Sequence, residues 1–397
     1  MKKHLGLALA VLALCGVRAA VQVDADLPAG NIVVEKVSGD EVFLHQDLRD
    51  TAGDWFYWSF RVRGAQERKL TFHFTKGNPI GGRGPAVSTD GGASWQWLGA
   101  QAVQGTNFSY GFGAQEADVR FGVAFPYTEQ NLTAFLAVHT NNPHLKVATL
   151  CRTERGRDAE LLRVGRLDGR AEQRVVITCR HHCCEMMASY VLEGLIAGLL
   201  ADTTEGRWLR EHVEFFVVPF VDKDGVEAGD QGKNRKPHDH NRDYAGDSLY
   251  ATVRAIREQV PKWSEGKLRF ALDLHCPTLR GGGNEQLVFV GGPDTNRWHE
   301  AERFTRLLEV SQTGPLRYST RNNLPFGKGW NTPANFTAGL SFGRWAAALP
   351  GVRAAATLET PYANAGGVAV TDASARALGQ DLARALQKYL ADSENSP

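Results

Sequence analysis

From about residue 150 onward the chain carries short apolar segments almost unbroken by polar residues, and these constrain its architecture more than any other feature. QRVVITCRHH, HVEFFVVPF, KLRFALDLH, EQLVFVGG and AAATLETPY are strand-like runs of this kind. A strand with one face in water alternates apolar and polar residues; one without that alternation needs cover on both faces. Helical segments are available to supply it. In CEMMASYVLEGLIAGLLA, Met187, Val191, Leu195 and Leu199 recur every four residues and mark a buried stripe. AERFTRLLEV and ASARALGQDLARALQKYL are helical in pattern too, and ADSENSP has neither periodicity nor apolar mass. The expectation is an α/β domain over 150–390 with a sheet covered on both faces, then a loose tail over 391–397.

Residues 32–148 follow another pattern. Phe43 with TAGDWFYWSFRVRG, then KLTFHF, ASWQWL, VRFGVAF and LTAFLAV, alternate aromatic or branched residues with polar ones, between clusters of Gly, Pro, Asn and Asp. This predicts an antiparallel β-sandwich over 20–149. The segment STDGGAS, from Ser88 to Ser94, reads as a hairpin turn because consecutive glycines accept positive φ. No catalytic motif occurs here, so the sandwich is expected to be structural or to shape the substrate site.

A chain of 397 residues, 43% of them hydrophobic, is long enough for two or three domains. Lys and Arg total 45 against 44 Asp and Glu, so no charge imbalance steers it toward nucleic acid or anionic lipid. Lys2 and Lys3 precede an apolar run from Leu5 to Leu14, with Val17 and Ala19 at signal-peptidase spacing. Residues 1–19 are therefore expected to be an export signal, and the protein to be periplasmic or extracellular, without a membrane span. Leu14 is larger than the residue expected before a lipidated cysteine, which argues against anchoring through Cys15. Beyond the signal stand Cys151, Cys179, Cys183, Cys184 and Cys276. An odd number forbids complete pairing within the chain. A bond between the adjacent Cys183 and Cys184 would be strained, whereas Cys179 with Cys276 or Cys151 is sterically easier.

The chemistry concentrates at strand ends. His182-Cys183-Cys184-Glu185 lies at a strand-to-helix boundary, where an imidazole at the strand end and a carboxylate in the first helical turn can converge on one ion. By itself the pair reads more readily as an ordinary helix start, with Glu185 at the positive helix end. His275 closes RFALDLH, with Asp273 two residues earlier to orient a ring. Two histidines and a glutamate from two strand ends would leave zinc an open position for water.

These motifs, in this order, resemble those of the M14-type zinc carboxypeptidases, and more closely their cytosolic-carboxypeptidase-like branch. DWFYWSFRVRG, PAVSTDGGASWQWLG and VAFPYT carry the likeness in the first domain; RHHCCE, VVPFVDKDGV, GKNRKPHDHNRDY, LDLH and TLETPY carry it in the second. The resemblance covers nearly all of the chain beyond the signal. It implies a mixed-sheet α/β carboxypeptidase domain preceded by the β-sandwich, and Zn2+ held by His182, Glu185 and His275. It further implies Arg235 polarising the scissile carbonyl, Asn241 and Arg242 gripping the terminal carboxylate, and Glu359 moving the proton from water to the departing amine. Two departures stand out: Asp222-Lys223-Asp224-Gly225 where the family has Asn-Pro-Asp-Gly, and Cys183-Cys184 where it commonly has Pro-Gly.

The sequence thus reads as an exported zinc metallocarboxypeptidase acting on peptides, cell-envelope peptides among them, and the branch suggests acidic terminal residues. Arg344 is the candidate reader of such a side chain, with Lys328 a competing cation. A cell-wall peptide amidase and a non-catalytic peptide- or glycan-binding protein are the rival readings; a complete His182, Glu185, His275 and Glu359 set disfavours the latter. His181 is expected outside the ligand set. His238, Asp239 and His240 are expected to form a pocket wall, and the RGGGN run from Arg280 to Asn284 a segment at the site's rim.

Overall fold

The computed structural model describes residues 20–392; the expected export signal with Cys15, and most of the expected tail, lie outside them. Two five-stranded sheets come first. Their strands are β1 (Gln22–Asp24), β2 (Val33–Ser38), β3 (Glu41–His45), β4 (Ser59–Arg63), β5 (Lys69–Phe74), β6 (Ala86–Ser88), β7 (Gln96–Trp97), β8 (Val103–Gln104), β9 (Asn107–Gly111) and β10 (Asp118–Gly122), in the orders β1-β4-β10-β6-β7 and β2-β3-β5-β9-β8. Leu70, Phe72 and Phe74 of β5 are buried, while Lys69, Thr71 and His73 between them are not, which is the alternation of a half-buried strand. Trp58, Phe60, Phe72, Phe108 and Phe121 fill the core, Phe72 stacking on Phe108 at 4.7 Å. STDGGAS turns β6 into β7 with Gly91 and Gly92 at φ of 75° and 89°. Pairing is antiparallel except between β3 and β5, because β4 crosses to the other sheet between them.

LTAFLAV departs from the expected strand: it lies in α1 (Glu129–Ala137). Asn131 Oδ1 accepts the Thr128 backbone N–H at 2.9 Å and Glu129 sits at the positive helix end, so local capping overrides a short apolar alternation.

Seven strands then build one mixed sheet. They are β11 (Leu145–Arg152), β12 (Asp158–Gly165), β13 (Gln173–Cys179), β14 (Val213–Val218), β15 (Leu268–His275), β16 (Val288–Val290) and β17 (Ala354–Glu359), in the order β11-β12-β14-β13-β15-β17-β16. The central β14, β13, β15 and β17 run parallel. Every residue of β13 and β14 is buried, as their mostly apolar sequence predicts, and the buried Arg174 and Glu214 pair with each other. Helices cover both faces: α2 (Met187–Leu200), α3 (Thr204–His212), α4 (Lys223–Ala228), α5 (Ala251–Ser264), α6 (Thr295–Ser311), α7 (Phe342–Ala347) and α8 (Asp372–Asp392). Val175 and Ile177 of β13 join the cluster containing α2 and α8, whereas Val176 joins the one containing α5 and α7.

Met187, Val191, Leu195 and Leu199 are all buried, but so are Ala188, Tyr190 and Leu192; α2 is enclosed on more than the single stripe its spacing suggested. Glycines make this possible. A Cβ on Gly194 would stand 1.9 Å from the Arg376 carbonyl oxygen, and one on Gly379 would stand 2.1 Å from that of Val191, so α2 and α8 touch backbone to backbone. All five cysteines of the described region are free thiols. Gly379→Ala is expected to force the helices apart and cost roughly 1–3 kcal/mol, as overpacking of a filled core does. Urea unfolding checks this against Gly111→Ala, which adds a methyl where no atom lies within 4 Å; equal midpoints for the two variants would refute the close approach.

Candidate metal centre and substrate cleft

β14 lies on one side of β13 and β15 on the other, so the loops leaving the carboxyl ends of these strands diverge and open a crevice. Three chain segments bring His182, Glu185, His275 and Glu359 to it. After β13, Arg180 adopts φ 61°, and its buried guanidinium donates to the carbonyls of Cys183 and Tyr127 and to Ser189 Oγ. That pins the turn carrying His182 and Glu185. Glu185 precedes α2 by two residues, rather than lying in its first turn, and its N–H donates to the His182 carbonyl at 3.2 Å. A tight turn therefore sets the spacing. His275 ends β15 and Glu359 ends β17, directly paired in register.

Glu185 stands between the two histidines: Oε1 is 2.9 Å from His182 Nδ1 and Oε2 is 2.8 Å from His275 Nδ1. The opposite ring nitrogens face other carboxylates, His182 Nε2 with Asp239 at 3.6 Å and His275 Nε2 with Asp273 at 2.7 Å. A carboxylate at Nε2 favours the Nε2–H tautomer and leaves the Nδ1 lone pair turned to the shared centre, the arrangement of metal-binding histidines. One ligand atom from each of His182, Glu185 and His275 lies within 4.8 Å of the others. Glu185 Oε2, fully buried, has no hydrogen-bond donor, and a buried carboxylate oxygen without one suits a cation. Two imidazoles and a carboxylate are a zinc donor set with room for water, so these residues fit Zn2+.

His181, Asp273 and His275 form a second close group. Both nitrogens of His181 are already engaged, with Asp273 and with Tyr244 Oη, each at 2.8 Å. Asp273 also accepts from Thr178 Oγ1, so this group supports His275 from behind. Burial alone would push the Asp273 carboxyl up, but the neighbouring His181 and His275 hold it well below the usual range. For Glu359 burial prevails and raises the carboxyl, against the pull of His275 and Lys233.

In front of these groups lies a cleft of about 870 Å³, lined by His182, His275, Glu359, Asn241, Arg242 and Arg344. Asn241 Oδ1 accepts the Phe342 N–H, tying this loop to α7. Arg242 donates to the Asn241 and Asn335 carbonyls, and its guanidinium lies 5.0 Å from the Phe336 ring. Arg344 lies 4.9 Å from the same ring. Among the described residues neither arginine forms an ion pair with a carboxylate. Lys328 is exposed and does not line the cleft. Of the expected pocket wall only Asp239 faces the cleft: His238 bonds Asp243 at 2.8 Å, and His240 stacks on Tyr250 at 3.6 Å. The glycine run forms a short 3-10 turn, Gly282–Glu285, with Asn284 at the rim.

Arg235 is the departure from expectation. Its guanidinium is held by Asp50 at 2.9 Å, Asp222 at 2.6 Å and Asp230 at 3.2 Å, and it does not line the cleft. Three carboxylates hold the cation where it is. Lys233, two residues earlier, lines the cleft instead, beside Trp55 of the sandwich. Sequence reading passed over both. Lys233 stands in GKNRKPHDHNRDY, where the roles went to Arg235, Asn241 and Arg242, and Trp55 is one aromatic among many in a segment read as strand.

A His2Glu centre at the carboxyl ends of a mixed sheet, facing a cleft lined by cations, defines a metallohydrolase site. Residues 132–301 match the zinc carboxypeptidase model of the M14 peptidases, a span that holds His182, Glu185 and His275. Cytosolic carboxypeptidase 3 of Bos taurus is 24% identical over 274 residues, 60% of this chain and 27% of the relative. Cytosolic carboxypeptidase 6 of Mus musculus is 26% identical over 315 residues, 71% of this chain and 56% of the relative. The chain thus spans about a quarter to just over half the length of these relatives. The solved metallo-carboxypeptidase from Burkholderia cenocepacia superposes with a TM-score of 0.78 at 20% identity, covering 94% of this chain and all of that one, and so shares the whole two-part fold.

Zinc-replete protein is expected to hold about one ion per chain. His275→Ala, which deletes one ligand nitrogen, is expected to lose it on dialysis, measured by elemental analysis; one ion retained at unchanged affinity would refute the site.

Proposed function

We propose that the protein is a zinc-dependent metallocarboxypeptidase that hydrolyses the last amide bond of peptides, prefers acidic terminal residues, and acts outside the cytoplasm, with cell-envelope peptides among its substrates. The observation that carries the reaction type is the convergence of His182, Glu185, His275 and Glu359 at the end of a cleft that also contains Arg242. Zinc, when bound, polarises a carbonyl and makes water nucleophilic near neutral pH. The chain's own groups account for the rest. Arg242 binds the terminal carboxylate, with Asn241 fixing its loop, so the last amide bond is the one presented. Glu359 accepts a proton from the attacking water as the new C–O bond forms. When the C–N bond breaks, that proton passes to the departing amine. A free amino acid and a peptide shorter by one residue result.

The acidic preference rests on the pair of guanidiniums flanking Phe336. A terminal glutamate carries two carboxylates, and Arg242 and Arg344 offer two fixed, fork-shaped cations in a cleft with apolar walls. The sequence of residues 1–19 supports export.

Glu359→Gln is expected to keep zinc while turnover falls by roughly 10²–10⁴, the usual loss on removing a positioned proton acceptor; wild-type turnover with zinc bound would exclude that role. Peptides ending in Glu are expected to be cleaved faster than matched peptides ending in Leu. Arg344→Ala should shrink this ratio more than it slows the Leu substrate, and equal rates on both substrates in the wild type would reject the acidic pocket while leaving the carboxypeptidase intact.

A further inference from the structure

The expected carbonyl-polarising cation, Arg235, stands outside the cleft, and a different cation stands inside it. Lys233 Nζ is 2.7 Å from Glu185 Oε1, 3.2 Å from the Cys276 carbonyl oxygen and 5.0 Å from the centre of the Trp55 ring. An ammonium has three N–H donors. Glu185 and Cys276 take two. The third has no protein acceptor among the described residues, although His182, His275 and Glu359 all line the same space.

The position of Lys233 is built from the sandwich. Asp50, in the loop between β3 and β4, accepts the N–H groups of Gln231 and Gly232 and the Arg235 guanidinium, each at 2.9 Å. The Thr51 hydroxyl donates to the Lys233 carbonyl. Trp55, four residues on, faces the ammonium with its ring, a cation–π contact that holds a flexible side chain without using an N–H. Arg235 is consumed in the same junction and cannot turn to the cleft without leaving three carboxylates.

We propose that Lys233, positioned by Trp55, is the catalytic cation that donates to the scissile carbonyl oxygen as negative charge builds on it, and that Arg235 is instead the ion-pair clamp between the two parts of the fold. This rests on the carboxypeptidase reading. It makes the sandwich a contributor to the active site: the element that fixes the transition-state donor comes from the β-sheet unit.

The test uses zinc-loaded full-length protein with two probes: a peptide substrate, and a phosphinate analogue that mimics the tetrahedral transition state, its binding measured by calorimetry. Lys233→Met is expected to retain zinc and leave KM within a few-fold. Turnover and phosphinate affinity should both fall by about 10²–10³, the usual loss for one oxyanion donor. Trp55→Leu should give a smaller loss of both, Trp55→Phe should restore most of it, and Trp55→Leu should cost nothing further when Lys233 is already Met. Arg235→Lys should lower the urea midpoint while leaving the ratio of phosphinate to substrate affinity unchanged. The proposal is overturned if Lys233→Met binds phosphinate as tightly as wild type, if it fails by losing zinc, or if Arg235→Lys takes the affinity loss instead. Wild-type protein that neither cleaves peptides nor binds the phosphinate would fail the carboxypeptidase reading itself, a result distinct from any of these.

Discussion

The parallel pairing of β13, β15 and β17 is the constraint on which the site depends. It sets His275 level with Glu359 on neighbouring strands and brings the turn after β13 to the same edge, so three residues far apart in the chain meet at one point. Backbone register fixes their height, and burial of both sheet faces fixes the register, because a slip of one residue would turn Val175 and Ile177 from one core into the other. The apolar runs that mark the strands therefore also position the cluster of His182, Glu185 and His275. The backbone contact between α2 and α8 has the same function one layer out, since α2 starts where the ligand turn ends.

Several buried charges around this frame are met by others. Asp239 and Asp273 face the ligand histidines, Lys233 faces Glu185, and Arg235 faces three aspartates. Such pairs are weak sources of net stability, because desolvation offsets much of their attraction, but they are costly to break on one side and so hold each group to one geometry. That property suits a site whose donors must not wander. It also explains why the sandwich bears directly on the cleft: Asp50 and Trp55 fix the loop from Gln231 to Arg235 from outside the α/β unit.

Much of this was legible in the sequence. Nearly unbroken apolar strands predicted the covered sheet, and the spacing of His182 and Glu185 after one strand, with His275 closing another, predicted that the three come together. What stayed hidden depends on partners remote in sequence. Arg235 sits in the expected motif, but Asp50, 185 residues away, is among the groups that turn it aside. Lys233 shares that motif, but nothing in it sets the lysine above Arg235; its place follows from Trp55 and Glu185 arriving from separate elements. LTAFLAV read as a strand because its alternation is short, while its helix follows from the Thr128–Asn131 cap, a local signal outweighed in the reading by surrounding strands. The parallel β3–β5 pair likewise depends on which sheet β4 joins, which alternation does not encode.

The central claim is that a metal centre at these strand ends removes residues singly from a free carboxyl terminus. Mass-resolved products of a mixed peptide pool incubated with zinc-replete protein test it most directly. The expected result is the loss of one terminal residue from peptides with a free carboxyl end, sensitive to chelation, and no change in the same peptides capped as amides. Cleavage within the chain, or equal loss from capped and free peptides, would contradict it.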